Sequence, residues 1–163
     1  MFFDKHPSLR GNPANVEQIA DAELKLNVKI DEEYKEFIKL FGGAYAGLAI
    51  HAFENGESIG KETIIELTRQ ARKLFNDTEL FPEINKSLVI ADDGSGNPIA
   101  IEPDGSVVLF DCDTEEKRVV ASSFEYLIEQ NFAEWWNTVK WMEDNDMEII
   151  VSTAIGGEIT VEK

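Results

Sequence analysis

The chain has 163 residues, of which 43% are hydrophobic and 10% aromatic; this suits one domain with a sizeable core and excludes a disordered acidic tail. Thirty-two acidic residues against fifteen basic ones leave a net charge of −17, which argues against nucleic acid as a direct ligand, because phosphate neutralisation supplies most of that affinity. No apolar run is long enough for a membrane span, the opening "MFFDKHPSLRGNP" lacks the features of a signal peptide, and the single cysteine, Cys112, has no internal disulfide partner, so a cytoplasmic location is expected.

In chain order, residues 14–24 read as a helix, with Val16, Ile19, Ala20 and Leu24 at helical spacing. A second helix fits "DEEYKEFIKLF". Asp31 caps its start, acids fill its first turn and "GG" at 42–43 ends it. Its apolar stripe is Tyr34, Phe37, Ile38 and Phe41. "AYAGLAIHAF" then reads as a strand. A third helix fits 62–75, where Thr63 and Glu66 have capping-box spacing and Leu67, Ala71, Leu74 and Phe75 share a side. Short apolar runs at 87–91, 98–102, 106–111 and 117–121, each bounded by turn residues, read as strands.

A last helix is expected from Ser123 to about Glu143, with a stripe of Phe124, Leu127, Ile128, Phe132, Trp135, Val139 and Met142. Trp136 lies at the edge of that stripe. Tyr126 and Trp141 fall off it, so they either pack under the C-terminal tail or stand exposed as partner anchors. That tail, residues 144–163, has two β-rich runs around Gly156 and Gly157 and reads as a terminal hairpin. The expectation is a single α+β domain over 1–163. It has an antiparallel sheet of about five to six strands, helices packed mainly on one face, and a C-terminal hairpin.

The stretch "LVIADDGSGNPIAIEPDGSVVLFD" at 88–111 concentrates acidic groups and invites four chemical readings. A calcium loop starting at Asp93 would place Ser95, Asn97 and Asp104 at positions three, five and twelve, but Pro98 occupies position six, where glycine is needed. A phosphate cradle would need a lysine and a following helix, and neither is present. No His/Cys cluster has zinc spacing, and acids around Cys112 disfavour its thiolate. A hydrolase using Asp93 with His51 would require a pocket joining the two. Turn chemistry explains the stretch more simply, because Asp and Gly supply side-chain caps and positive φ. No catalytic residue, cofactor or metal is expected.

From Asp77 to Glu116 there are eleven acidic residues and one base, Lys86. Such a distribution steers a basic partner, or it serves solubility alone. The candidate partner contacts are Asp92, Asp93, Asp104, Asp111, Asp113, Glu115 and Glu116, with Trp141 as an aromatic anchor.

Several segments resemble one family in order. Val16, Glu17 and Glu23-Leu24 precede Ile30-Asp31-Glu32-Glu33-Tyr34, Phe37-Ile38 and Gly42-Gly43. Then come Asp93-Gly94 and Gly96-Asn97 between two strands, and Ala121, Ser123 and Phe124 at the last helix. This pattern resembles the SUKH superfamily, the Smi/Knr-like proteins, across roughly residues 14–135, with the tail from about Asp144 added to the family core. Asp31 stands where the family usually has Pro, and both suit a helix start. Gly42 and Asn97 stand where Asn and Asp are more usual. The resemblance implies an immunity protein of a polymorphic toxin system. Such a protein neutralises a cognate toxin, often a basic nuclease, by stoichiometric binding in the cytosol. The Smi/Knr-like alternative it implies is a regulatory scaffold or signalling adaptor without a toxin partner.

Overall fold

The computed structural model describes residues 2–145, 148–151 and 159–162. A short helix, α1 (Phe2–Lys5), and a 3-10 turn at Pro7–Leu9 lead into α2 (Val16–Leu26). The Asn15 side chain accepts from the Gln18 N–H at 2.8 Å, and the Gln18 side chain accepts from the Asn15 N–H at 3.0 Å. This reciprocal cap fixes where α2 begins. Helix α3 (Glu32–Phe41) is capped by Asp31, which accepts from the Tyr34 N–H at 3.1 Å. It stops at Gly42, whose φ of 63° with ψ of −148° is open to glycine but not to a residue with a side chain, and whose missing side chain admits the Asn12 carbonyl.

The single strand expected from "AYAGLAIHAF" is instead a small hairpin, β1 (Ala44–Tyr45) and β2 (Ala49–Ile50). Gly47 at φ 76° turns the chain between them and lies against the Asn131 backbone. Helix α4 (Ile64–Thr78) carries the expected Thr63/Glu66 capping box. After a 3-10 turn at Pro82–Lys86 come β3 (Leu88–Asp92), β4 (Pro98–Ile101), β5 (Val107–Asp111) and β6 (Glu116–Ala121). They form an antiparallel meander in the order β3-β4-β5-β6. Helix α5 (Phe124–Asp144) comes directly after β6.

The main sheet therefore has four strands rather than five or six, because β1 and β2 form a separate two-stranded sheet, with Ala44 of β1 also bridging to Arg10. Segments β7 (Glu148–Val151) and β8 (Ile159–Glu162) pair antiparallel as a separate ribbon outside that sheet. The expected turn at Gly156 and Gly157 lies outside the described residues, as do the side chains of Trp135, Trp136, Val139 and Met142.

Both faces of the sheet are covered, one by α2, α3 and α5 and the other by α4. On one face Val89, Ala100, Val108 and Phe110 pack with Ala71 and Phe75 of α4 and with Ile84. On the other, Leu88, Ile99, Ile101, Val107 and Leu109 join Ile19 and Leu26 of α2, Tyr34 and Ile38 of α3, and Phe124 and Leu127 of α5. Each fully buried large side chain contributes about 1.5–3 kcal/mol relative to exposure. Thr68 ties α4 to the sheet, its hydroxyl accepting from the Val89 N–H at 3.0 Å beside a bulge in β3. Arg72 spans the α4 side: its guanidinium donates to the Leu26 carbonyl at 2.7 Å and the Ile84 carbonyl at 3.4 Å.

The α2 stripe differs from the one expected. Ile19, Ala22 and Leu26 are buried, whereas Val16 and Leu24 are 71% and 83% exposed. Leu74 of α4 also points outward, at 48% exposure. The run at 117–121, read as an apolar strand, forms an exposed edge with only Ala121 buried.

Candidate functional site

In an antiparallel meander alternate turns share an end of the sheet. The β3–β4 turn (93–97) and the β5–β6 turn (112–115) therefore lie together, and the β4–β5 turn (102–106) lies at the opposite end. In the first turn, Asp92 accepts from the Gly94 N–H at 2.7 Å. Asp93 accepts from the N–H groups of Ser95 at 2.9 Å and Asn97 at 3.1 Å through one oxygen, and from the Asn97 side-chain amide at 2.9 Å through the other. Gly94 and Gly96 supply the positive φ values, 90° and 86°. In the second turn, Asp111 accepts from the N–H groups of Asp113 at 3.0 Å and Thr114 at 3.1 Å, and Glu115 adopts φ 57°.

Asn97 joins the two turns. Only 6% exposed, it donates to Asp93 and its carbonyl accepts from the Cys112 N–H at 3.0 Å. The sequence reading missed this bridge, because its two ends are fifteen residues apart.

The fold thus gathers Asp92, Asp93, Asp111, Asp113, Glu115 and Glu116 at one end of the sheet. Asp104 is not among them. It sits in the opposite turn, where it accepts from the Ser106 N–H at 2.9 Å and hydroxyl at 2.6 Å, and the adjacent Gly105 approaches Asp31 at the start of α3. Trp141 is 58% exposed and Tyr126 46% exposed. Trp141 lies on α5 ten residues beyond Asn131, roughly 15 Å further along the helix.

Few cations answer these acids. Arg118 lies 3.6 Å from Asp111, and Lys117 is committed to Glu102 at 2.8 Å. Among the described residues no cation pairs with Asp92, Asp93, Asp113, Glu115 or Glu116. Burial works to raise the Asp93 pKa, but the hydrogen bonds from Asn97 and Ser95 outweigh it, so the carboxyl lies below its ordinary value. Ser106 lowers Asp104 in the same way. Burial, then Asp113, Asp111 and Asp93, push the Cys112 thiol up, which disfavours a thiolate nucleophile.

The arrangement offers little for acid–base chemistry. Asp93 spends its oxygens on its own turn. His51, only 8% exposed, donates from Nδ1 to the Glu62 carbonyl at 2.7 Å, and its backbone N–H donates to the Ile90 carbonyl at 2.8 Å. Among the described residues no group of three or more His, Cys, Asp or Glu is placed to hold a metal ion. None of the described helices is long and apolar enough to cross a membrane.

A groove of about 470 Å³ opens beside the acidic end, between α5 and the sheet. Asp93, Ile99, Leu109 and Val120 form its sheet side; Leu127, Gln130 and Asn131 form its helix side. Sequence periodicity marked Leu127 as core but carried no signal that a cleft would remain between it and β6.

A comparison with curated proteins finds no match. The family model described as SMI1 / KNR4 family (SUKH-1) matches residues 13–130, which takes in everything from the α2 cap to the groove-lining turn of α5. The chain belongs to the SMI1/KNR4 family (SUKH-1).

Proposed function

We propose that this chain is a non-enzymatic binding protein, an immunity protein that neutralises a cognate basic toxin of nuclease type by one-to-one binding in the cytoplasm. The family includes immunity proteins and is generally non-catalytic. The observation that carries the reading is the acidic end of the sheet, where Asp92, Asp93, Asp113, Glu115 and Glu116 have no cationic partner among the described residues. A basic nucleic-acid-binding surface meets a complementary field there, and carboxylates occupy the place of phosphates.

Asp113, Glu115 and Glu116 are the residues to reverse, because their side chains hold none of the turn hydrogen bonds. The test is capture from the native cytosol at low and at moderately high salt. Any basic domain recovered is then expressed alone and together with this chain. The expected result is a domain that arrests growth alone, is tolerated in the presence of this chain, and is released by salt. Replacing Asp113, Glu115 and Glu116 with Lys should slow association at low salt by about 10- to 100-fold. Recovery of housekeeping proteins alone, with no growth-arresting partner, would replace this reading with that of a regulatory scaffold or adaptor.

A further inference from the structure

We propose that the outer edge of β6 takes up an extended, basic segment of the partner as an additional strand, one of whose aliphatic side chains enters the groove under α5. This rests on the binding function proposed above and specifies how the partner is held.

The two edges of the four-stranded sheet differ. The β3 edge is engaged by the first hairpin, where the His51 N–H donates to the Ile90 carbonyl at 2.8 Å. β6 is last in the strand order, and five of its six residues are exposed, whereas β4 is buried throughout and β3 and β5 are buried except at their final Asp. Such an edge presents unpaired N–H and C=O groups, and lysines commonly protect it from strand addition. Here both cations of the edge are drawn onto the sheet's own carboxylates, Lys117 to Glu102 and Arg118 to Asp111. They leave the edge net acidic, with Asp113, Glu115 and Glu116 at its head.

A bulge between Val107 and Val108 changes the register so that Val108 faces Val119 and Val107 faces Ala121. Val120 is the extra residue, and it lies on the groove wall with Ile99 and Leu109. A strand laid outside β6 would hydrogen-bond by backbone alone. Its alternate side chains would face Val120 and the groove mouth, with Asp93 at the groove's acidic end. The charge complementarity selects a basic segment and rejects an acidic one.

The test uses the full chain, 15N-labelled, and a capped peptide of alternating lysine and valine, with its glutamate–valine counterpart as control. The lysine peptide should shift and protect alternate amides within 116–121 and shift the side-chain amides of Gln130 and Asn131, while the glutamate peptide should not. Val120→Asp adds a negative charge, so diffuse attraction alone predicts tighter binding. Groove insertion predicts binding about tenfold weaker, with Val119→Asp on the opposite face much less affected. Shifts spread over the acidic helices with β6 unmoved, or a Val120→Asp chain that binds as tightly as the parent, would overturn the proposal. So would a β6-mediated dimer seen by light scattering, which makes a second copy the occupant. Because the peptide needs no toxin, failure here leaves the growth-rescue result standing, and the reverse holds equally.

Discussion

Asn97 shows why the acidic turn has its particular shape. It carries a donor and an acceptor on one side chain, and the site uses both: the amide N–H meets Asp93 and the carbonyl meets the Cys112 N–H. Asp at this position would keep the acceptor and set a second carboxylate against Asp93. Asn97→Asp should therefore cost about 1–3 kcal/mol at neutral pH. The loss should shrink as pH falls toward 4, because a proton shared between residues 93 and 97 restores the donor. Urea titrations at several pH values check this; a penalty that does not change with pH would mean that charge repulsion is not its source. The role of the Asp and Gly residues as turn formers was legible locally. The bridge to the second turn was not, because nothing near Asn97 in sequence announces Cys112 as its neighbour.

At the scale of the element, α2 is the informative case. Its limits are set by the Asn15–Gln18 cap and by Asn27 in the left-handed region, φ 53°. Its inward face is not set locally, because two apolar rows run along the same helix. Val16, Ala20 and Leu24 make one row and Ile19, Ala22 and Leu26 the other, and both satisfy helical spacing. Packing against α4 and the sheet selects the second row, since Leu26 is wholly buried and Leu24 is 83% exposed. Leu26→Ala should cost about 2–5 kcal/mol, and Leu24→Ala should stay within about 0.5 kcal/mol of the parent. Equal losses for both, measured by denaturant unfolding, would contradict this orientation. The strands teach the converse lesson. "LVIA", "PIAI" and "VVLF" are continuous apolar runs rather than alternating ones, which is the pattern of strands covered on both faces. That signal was in the sequence. The exposed edge at 116–121 was harder to read, because Val119 and Val120 resemble core residues until the strand order places β6 last among the described strands of the sheet.

At the scale of the whole molecule, a net charge of −17 acts on folding and binding with opposite sign. Folding compresses the acids together, so their repulsion destabilises the compact state at neutral pH. Added salt screens it over a Debye length of about 10 Å at 0.1 M. The melting temperature at pH 7 should then rise with NaCl, by about 2–4 °C for each kcal/mol of repulsion removed. Acidification relieves the same repulsion at first, but a second effect opposes it lower down. Asp93 and Asp104 have folded pKa values below their ordinary ones. The stability they contribute is present above the unfolded value, about 3.9, and is lost as pH falls through the lowered folded values. Stability should therefore peak in mildly acidic solution, fall below about pH 4, and respond to salt less at pH 5 than at pH 7. Partner capture by the acidic end should weaken with the same salt that strengthens the fold. Calorimetry and association rates measured in matched NaCl series decide the matter. Opposite slopes place the unpaired acids in binding at a cost to folding, whereas a melting temperature indifferent to salt removes self-repulsion as a factor and leaves the paired and turn-bound carboxylates to account for the acid limb alone.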